Sequence, residues 1–190
     1  MRTLLLALVM AVAAGCTSAP PPAAKAPEIP RISTSAAKPR VERVALPASC
    51  GRLLTRQDLD DVVETVITGR TEVVVGVGLP KIGRTGRIDC YYGIPQDQPP
   101  AAAVLTVGMA AYTDQTSARQ RVQETVDAER DKGIAAEEIK VGTDTGFLIE
   151  GDTRTVVVAH GTLTVAVTVA KTLATPEQVA KLADRALTER

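Results

Sequence analysis

Between Gly146 and Ala170 the chain repeats an apolar segment three times, with only two residues at each break. Residues 147–150, 153–159 and 162–170 are separated by Gly151-Asp152 and His160-Gly161. A two-residue break admits a tight hairpin, whereas parallel neighbours need a crossover of about a dozen residues or more. This stretch therefore commits the chain to an antiparallel meander. In its last strand Leu163, Val165, Val167 and Val169 point one way, and Thr164, Ala166 and Thr168 the other. That second face is small and Thr-rich instead of charged, which suits a covered surface or the wall of a groove.

The remaining elements follow from periodicity and caps. Thr55 caps a helix, with Asp58 three residues on as a carboxylate version of the capping box and Leu54 and Leu59 as a staple. Leu59, Val62, Val63, Val66 and Ile67 form its apolar stripe, and Gly69 is its expected stop. Strands are expected over 73–77, 87–93 and 103–112, and a more polar helix over 117–132 with a narrow stripe of Ala118, Val122 and Val126. Thr175-Pro176-Glu177-Gln178 opens a last helix striped by Val179, Leu182, Ala183, Ala186 and Leu187. The order reads α-β-β-β-α-β-β-β-α. Hairpins outnumber crossovers, so the expected class is α+β, a mostly antiparallel sheet with helices packed on one face.

The first residues carry an address. Arg2 precedes an apolar run, Leu4 to Ala14, too short to span a bilayer, and Ala13-Ala14-Gly15-Cys16 reads as a lipobox, although Leu is more usual at the position of Ala13. The alternative is an ordinary secretory signal with an incidental Cys. The lipobox divides the chain into a signal peptide (1–15), an acylated Cys16 with a Pro/Ala-rich tether (16–48) and one α+β domain (49–190). The expected location is the extracytoplasmic face of a bacterial cell membrane, held by lipid at Cys16. Prolines at 20–22, 27, 30, 39 and 47 make the tether a semi-stiff spacer.

Outside the cytoplasm the two remaining cysteines, Cys50 and Cys90, are expected to pair as a structural disulfide. A redox or metal pair is the alternative, but there is no CxxC and the single imidazole is His160.

Charge excludes several functions. Residues 17–49 hold five basic and two acidic side chains, and residues 50–190 hold 16 basic and 20 acidic. A mildly acidic domain on a basic stalk does not suit nucleic acid, which demands a concentrated cationic face. With no Trp, three Tyr and one Phe, stacking platforms for sugars or bases are scarce. No cofactor or metal is called for. Within the folded part Ser117 is the one serine apart from Ser49 at its edge, no GxSxG occurs, and no carboxylate pair is singled out. The acids near Asp58, Glu137 and Glu150 read as solvated groups at helix ends and turns.

One run has P-loop spacing: Gly78-Leu79-Pro80-Lys81-Ile82-Gly83-Arg84-Thr85. A P-loop needs Lys where Arg84 stands and a helix behind it, whereas a strand pattern follows here. Lys81, Arg84 and Arg87 instead form a cationic loop able to meet an anionic headgroup or an acidic patch on a partner.

Cys50-Gly51-Arg52-Leu53-Leu54-Thr55, then Asp58-Leu59, then Cys90-Tyr91-Tyr92 resembles the motif of an actinobacterial lipoprotein family of unknown function. The resemblance spans residues 50–190 and also fits the lipobox and tether. It implies a Cys50–Cys90 pair, a helix opened at Thr55 and an α+β sheet domain. It implies no shared chemistry. The expected function is a non-catalytic binding or accessory domain of the cell envelope, with an envelope protein or lipid as partner. The alternative is a carrier holding a lipid or small apolar ligand between sheet and helices.

Overall fold

The computed structural model describes residues 45–188; the expected signal peptide, Cys16 and most of the expected tether lie outside the described residues. Seven antiparallel strands form one sheet: β1 (Arg70–Gly76), β2 (Arg84–Ile94), β3 (Leu105–Tyr112), β4 (Ala136–Val141), β5 (Asp144–Glu150), β6 (Thr153–His160) and β7 (Leu163–Ala170). Their order is β1-β2-β3-β7-β6-β5-β4. Two meanders thus meet along the β3–β7 seam. The helices are α1 (Cys50–Leu53), α2 (Arg56–Val62), α3 (Gln115–Arg130) and α4 (Pro176–Leu187). The fold is α+β.

The caps act as their residue types dictate. Thr55 and Asp58 close a reciprocal capping box on α2, Thr175 and Gln178 close one on α4, and the Asp114 carboxylate accepts from the Ser117 amide at the start of α3. The Cys50–Cys90 disulfide is formed. Beside it the Tyr92 phenol donates to the Cys50 carbonyl at 3.0 Å, and burial pushes its pKa above the ordinary phenol range.

Three features depart from the sequence reading. First, α2 stops at Val62, not Gly69, and Val66 is 67% exposed. Most of residues 62–68 are β-branched and gain little from helix. Gly69, at φ +104°, instead lies against the end of β2, where a Cβ would sit 2.5 Å from the Ile94 carbonyl oxygen. Second, β4 is an additional strand, so the second meander has four strands. Third, the helices occupy both faces of the sheet, not one.

Strand alternation explains the third point. Val156 and Val158 of β6 join the large cluster with Leu182, Ala183 and Ala186 of α4, while Val157 between them packs with Val122 and Val126 of α3. Both faces of β6 are apolar, so both must be covered. The α4 face also holds Leu53, Leu59, Ile88, Leu105, Val107 and Val167, all nearly inaccessible. Leu46, just before the domain, packs against it too.

Candidate functional site

The β1–β2 hairpin folds towards the start of α3. A 3-10 turn, Pro80–Ile82, is closed by the Leu79–Arg84 bridge. Gly83 follows at φ +69°, where a Cβ would lie 2.9 Å from both the Ser117 and Thr113 hydroxyl oxygens. Only glycine allows this approach together with that backbone. The P-loop-like run is therefore a hairpin loop leading into a strand, with no helix behind it.

From this hairpin β2 carries its cations onto the α3 face. Arg84 lies opposite Tyr112, a register shift follows, and Arg87 and Asp89 then lie opposite Ala110 and Gly108. Arg87 grips Asp89 with two parallel bonds, Nε to Oδ2 at 2.7 Å and Nη2 to Oδ1 at 2.8 Å. Asp89 is 8% exposed. Its hydrogen bonds hold the Arg87 guanidinium more firmly protonated, against the opposing effect of burial. Gly108 makes room for the pair, since a Cβ there would meet Asp89 Oδ1 at 2.7 Å.

Between this strand surface and α3 lies a solvent-open pocket of about 230 Å3. Arg84, Arg87 and Arg121 line it, with Tyr112 and the hydroxyl-bearing Thr125 and Thr164. Gly108, Ala110, Val122, Val157 and Ala166 supply its apolar surface. A polar recess of about 260 Å3 adjoins it, lined by Lys81, Gly83, Ser117, Gln120, Arg121 and Glu124. Arg121 borders both. Of the three cations singled out in the sequence, Arg84 and Arg87 therefore share one pocket, and Lys81 lies in the neighbouring recess. Thr164 and Ala166, from the small face of the last strand, line the pocket. Thr168 does not; its hydroxyl pairs with that of Thr155 at 3.0 Å.

Arg121, Tyr112, Asp89 and Gly108 were not singled out by the sequence reading. Asp89 had a signal, because residues i and i+2 of a strand share a face and Arg87 and Asp89 carry opposite charge. Arg121 had none. It is one exposed cation among several on a polar helix.

Other titratable groups form structural pairs. Asp58, expected to be solvated, is 3% exposed and meets Arg185 Nη1 at 2.9 Å across 127 residues. His160 Nδ1 lies 2.8 Å from Asp144 Oδ2. Glu150 meets Arg154 at 2.7 Å and Lys171 at 3.3 Å, and those cations hold its pKa below the usual carboxylate range. Among the described residues no group of three His, Cys, Asp or Glu is placed to hold a metal ion, and no helix is long and apolar enough to cross a membrane. A further recess, of about 220 Å3, lies beside the disulfide and is lined mainly by Leu54, Leu59, Ile67 and Tyr92, with Arg56 at its edge.

Comparison with protein-family models, curated proteins and solved structures finds no match.

Proposed function

We propose that this protein is a lipid-anchored, extracytoplasmic binding or accessory domain of the bacterial cell envelope, tethered through Cys16 and acting without catalysis. One observation carries the reading: the solvent-open pocket between α3 and the sheet, walled by Arg84, Arg87 and Arg121. Ligand sites combine an apolar lining with a few convergent polar groups. The opposite face of the sheet is packed by α4. The disulfide is consistent with an oxidising compartment, and the motif around Cys50 and Cys90 supports kinship with the actinobacterial lipoproteins it resembles.

The test has two parts. The native protein, extracted gently from its own envelope, is examined by native mass spectrometry and by crosslinking. A bound species lost on denaturation, or a crosslinked envelope partner, supports the reading; a bare chain with neither overturns it. Cys16→Ser should move the protein from the membrane to the soluble fraction. Retention in the membrane would refute the anchor.

A carrier of a lipid or small apolar ligand is the second reading. The pocket wall formed by Thr164, Ala166 and Val157 favours it. A released species with a long acyl chain would select it.

A further inference from the structure

We propose that the arginine-walled pocket binds an oxyanion, a phosphate or carboxylate, carried on a compact apolar body, with Arg84 and Arg121 taking its charge. The inference rests on the binding reading above and names the ligand chemistry of the same pocket. The three guanidinium groups differ in how fully they are occupied. Arg87 has Nε and Nη2 committed to Asp89, so its charge is compensated and it acts as a fixed wall. Among the described residues the Arg121 guanidinium has one ion-pair contact, 3.4 Å to Glu124, between two side chains that are nearly half exposed. Such a surface pair contributes little and yields to a stronger acceptor.

Arg84 has no carboxylate within ion-pair reach among the described residues. Its Nη2 reaches the Val77 carbonyl only at 3.5 Å, and its Nε is buried with no hydrogen-bond partner. Buried donors without acceptors are rare, because they forfeit their bond to water. An oxyanion between Arg84 and Arg121 gives the Arg84 guanidinium the counter-charge it lacks and offers Arg121 a stronger acceptor than Glu124. None of the residues lining the pocket is acidic, and the nearby Asp89 is neutralised by Arg87. Lys81 in the adjoining recess adds to the positive potential at the mouth.

The apolar body follows from the floor and the volume. Gly108, Ala110 and Ala166 offer a small-residue surface. At about 230 Å3 the pocket exceeds the cavity of about 150 Å3 that accommodates benzene. A bare inorganic ion leaves most of that surface wet, and a neutral apolar molecule leaves Arg84 without a counter-charge.

The test titrates the full chain carrying Cys16→Ser, so that its own anchor does not occupy vesicles, with hexyl phosphate, hexanoate, hexanol and inorganic phosphate by calorimetry. Hexyl phosphate or hexanoate should bind saturably and weaken with salt, inorganic phosphate should bind more weakly than hexyl phosphate, and hexanol should not bind. Arg84→Gln and Arg121→Gln should each weaken binding by about tenfold or more, while Arg119→Gln, on the same helix but outside the pocket, leaves it unchanged. Should Arg84→Gln fail to fold, Arg121→Gln on the exposed helix surface carries the test alone. Equal binding of hexanol, absence of binding by both anions, or full affinity in the Arg121→Gln protein overturns the proposal.

Competition by phosphatidylglycerol vesicles, but not phosphatidylcholine vesicles, supports the oxyanion and assigns it to a lipid headgroup. Probe binding without such competition supports it and assigns it to a free small molecule. A neutral cargo on the native protein, with no anion binding, overturns the oxyanion and leaves the binding domain standing. No cargo, no partner and no probe binding overturn both.

Discussion

Removing Asp58 should loosen the packing of α2 against α4. Its Oδ2 accepts from the Thr55 amide at 2.8 Å and the Thr55 hydroxyl at 2.6 Å, and its Oδ1 accepts from Arg185 at 2.9 Å. The carboxylate is 4% exposed in its side chain and Arg185 35%. Asp58→Ala loses the cap, about 1 kcal/mol, and a charge-assisted bond to Arg185, about 1.5–3 kcal/mol. The expected loss is about 2.5–4 kcal/mol, a large share of a stability of about 5–15 kcal/mol. Asp58→Asn keeps an oxygen for the Thr55 amide and should lose about 2 kcal/mol, mostly from the ion pair. Arg185→Met removes a charge-assisted bond from a buried carboxylate and should also destabilise. Once Asp58 is Ala, however, adding Arg185→Met should cost little. Urea unfolding of the two single variants and the double variant gives the coupling from midpoints and slopes. A coupling of about 1.5–2.5 kcal/mol is expected; additivity within about 0.5 kcal/mol would refute the direct link between the two residues.

Opening the disulfide by Cys50→Ala with Cys90→Ala should cost about 4 kcal/mol on the chain-entropy estimate for a loop of this length, for a sequence separation of 40; a urea midpoint that does not change would refute that role. The acid response has a defined sign. Arg154, then Lys171, depress the Glu150 pKa from its ordinary value of 4.5, and the Ser117 amide and hydroxyl depress that of Asp114 from 3.8. Their contributions are complete above the ordinary carboxyl range and disappear as pH falls through the lowered values, so Tm should drop on acidification below about pH 4.5, and Glu150→Gln should shrink that drop. An unchanged drop would refute the assignment to Glu150. Gly108→Ala should cost about 1–3 kcal/mol by overpacking, because its Cβ meets Asp89 Oδ1 at 2.7 Å. It should also weaken hexyl phosphate binding; wild-type stability by urea unfolding would mean that the Arg87–Asp89 pair has room to shift.

What the sequence displayed was local. The β5–β7 hairpins, the two Thr-initiated helices and the cysteine pair each depend on residues a few positions apart or on a count of two. The strand β4 was hidden because Ala136-Glu137-Glu138-Ile139-Lys140-Val141 carries three charges in six residues. At the edge of a sheet such charges stay in water while Ala136 faces α3 and Val141 the α4 cluster. The end of α2 was misplaced because the stripe Val62, Val63, Val66, Ile67 has helical spacing but strand-forming residue types. Asp58 meets Arg185, and Arg84 and Arg121 come to line one pocket, only after the sheet has formed. No periodicity within one element encodes either pair.

The contrast between the two sheet faces links the fold to the proposed site. The α4 stripe sets Val179, Leu182, Ala183 and Ala186 against valines of β6 and β7, and large side chains interlock there to near-complete burial. The α3 stripe is three residues wide, Ala118, Val122 and Val126, and the strands beneath it present Gly108, Ala110 and Ala166. A narrow stripe over a small-residue floor cannot fill the space between helix and sheet, so a pocket remains. Filling it with larger apolar residues would add stability by burying more surface. The chain instead surrounds it with arginines, and keeps a glycine at 108 so that Asp89 can hold one of them in place. Forgoing packing on one face while the other supplies the core is what the proposed ligand site requires of this fold.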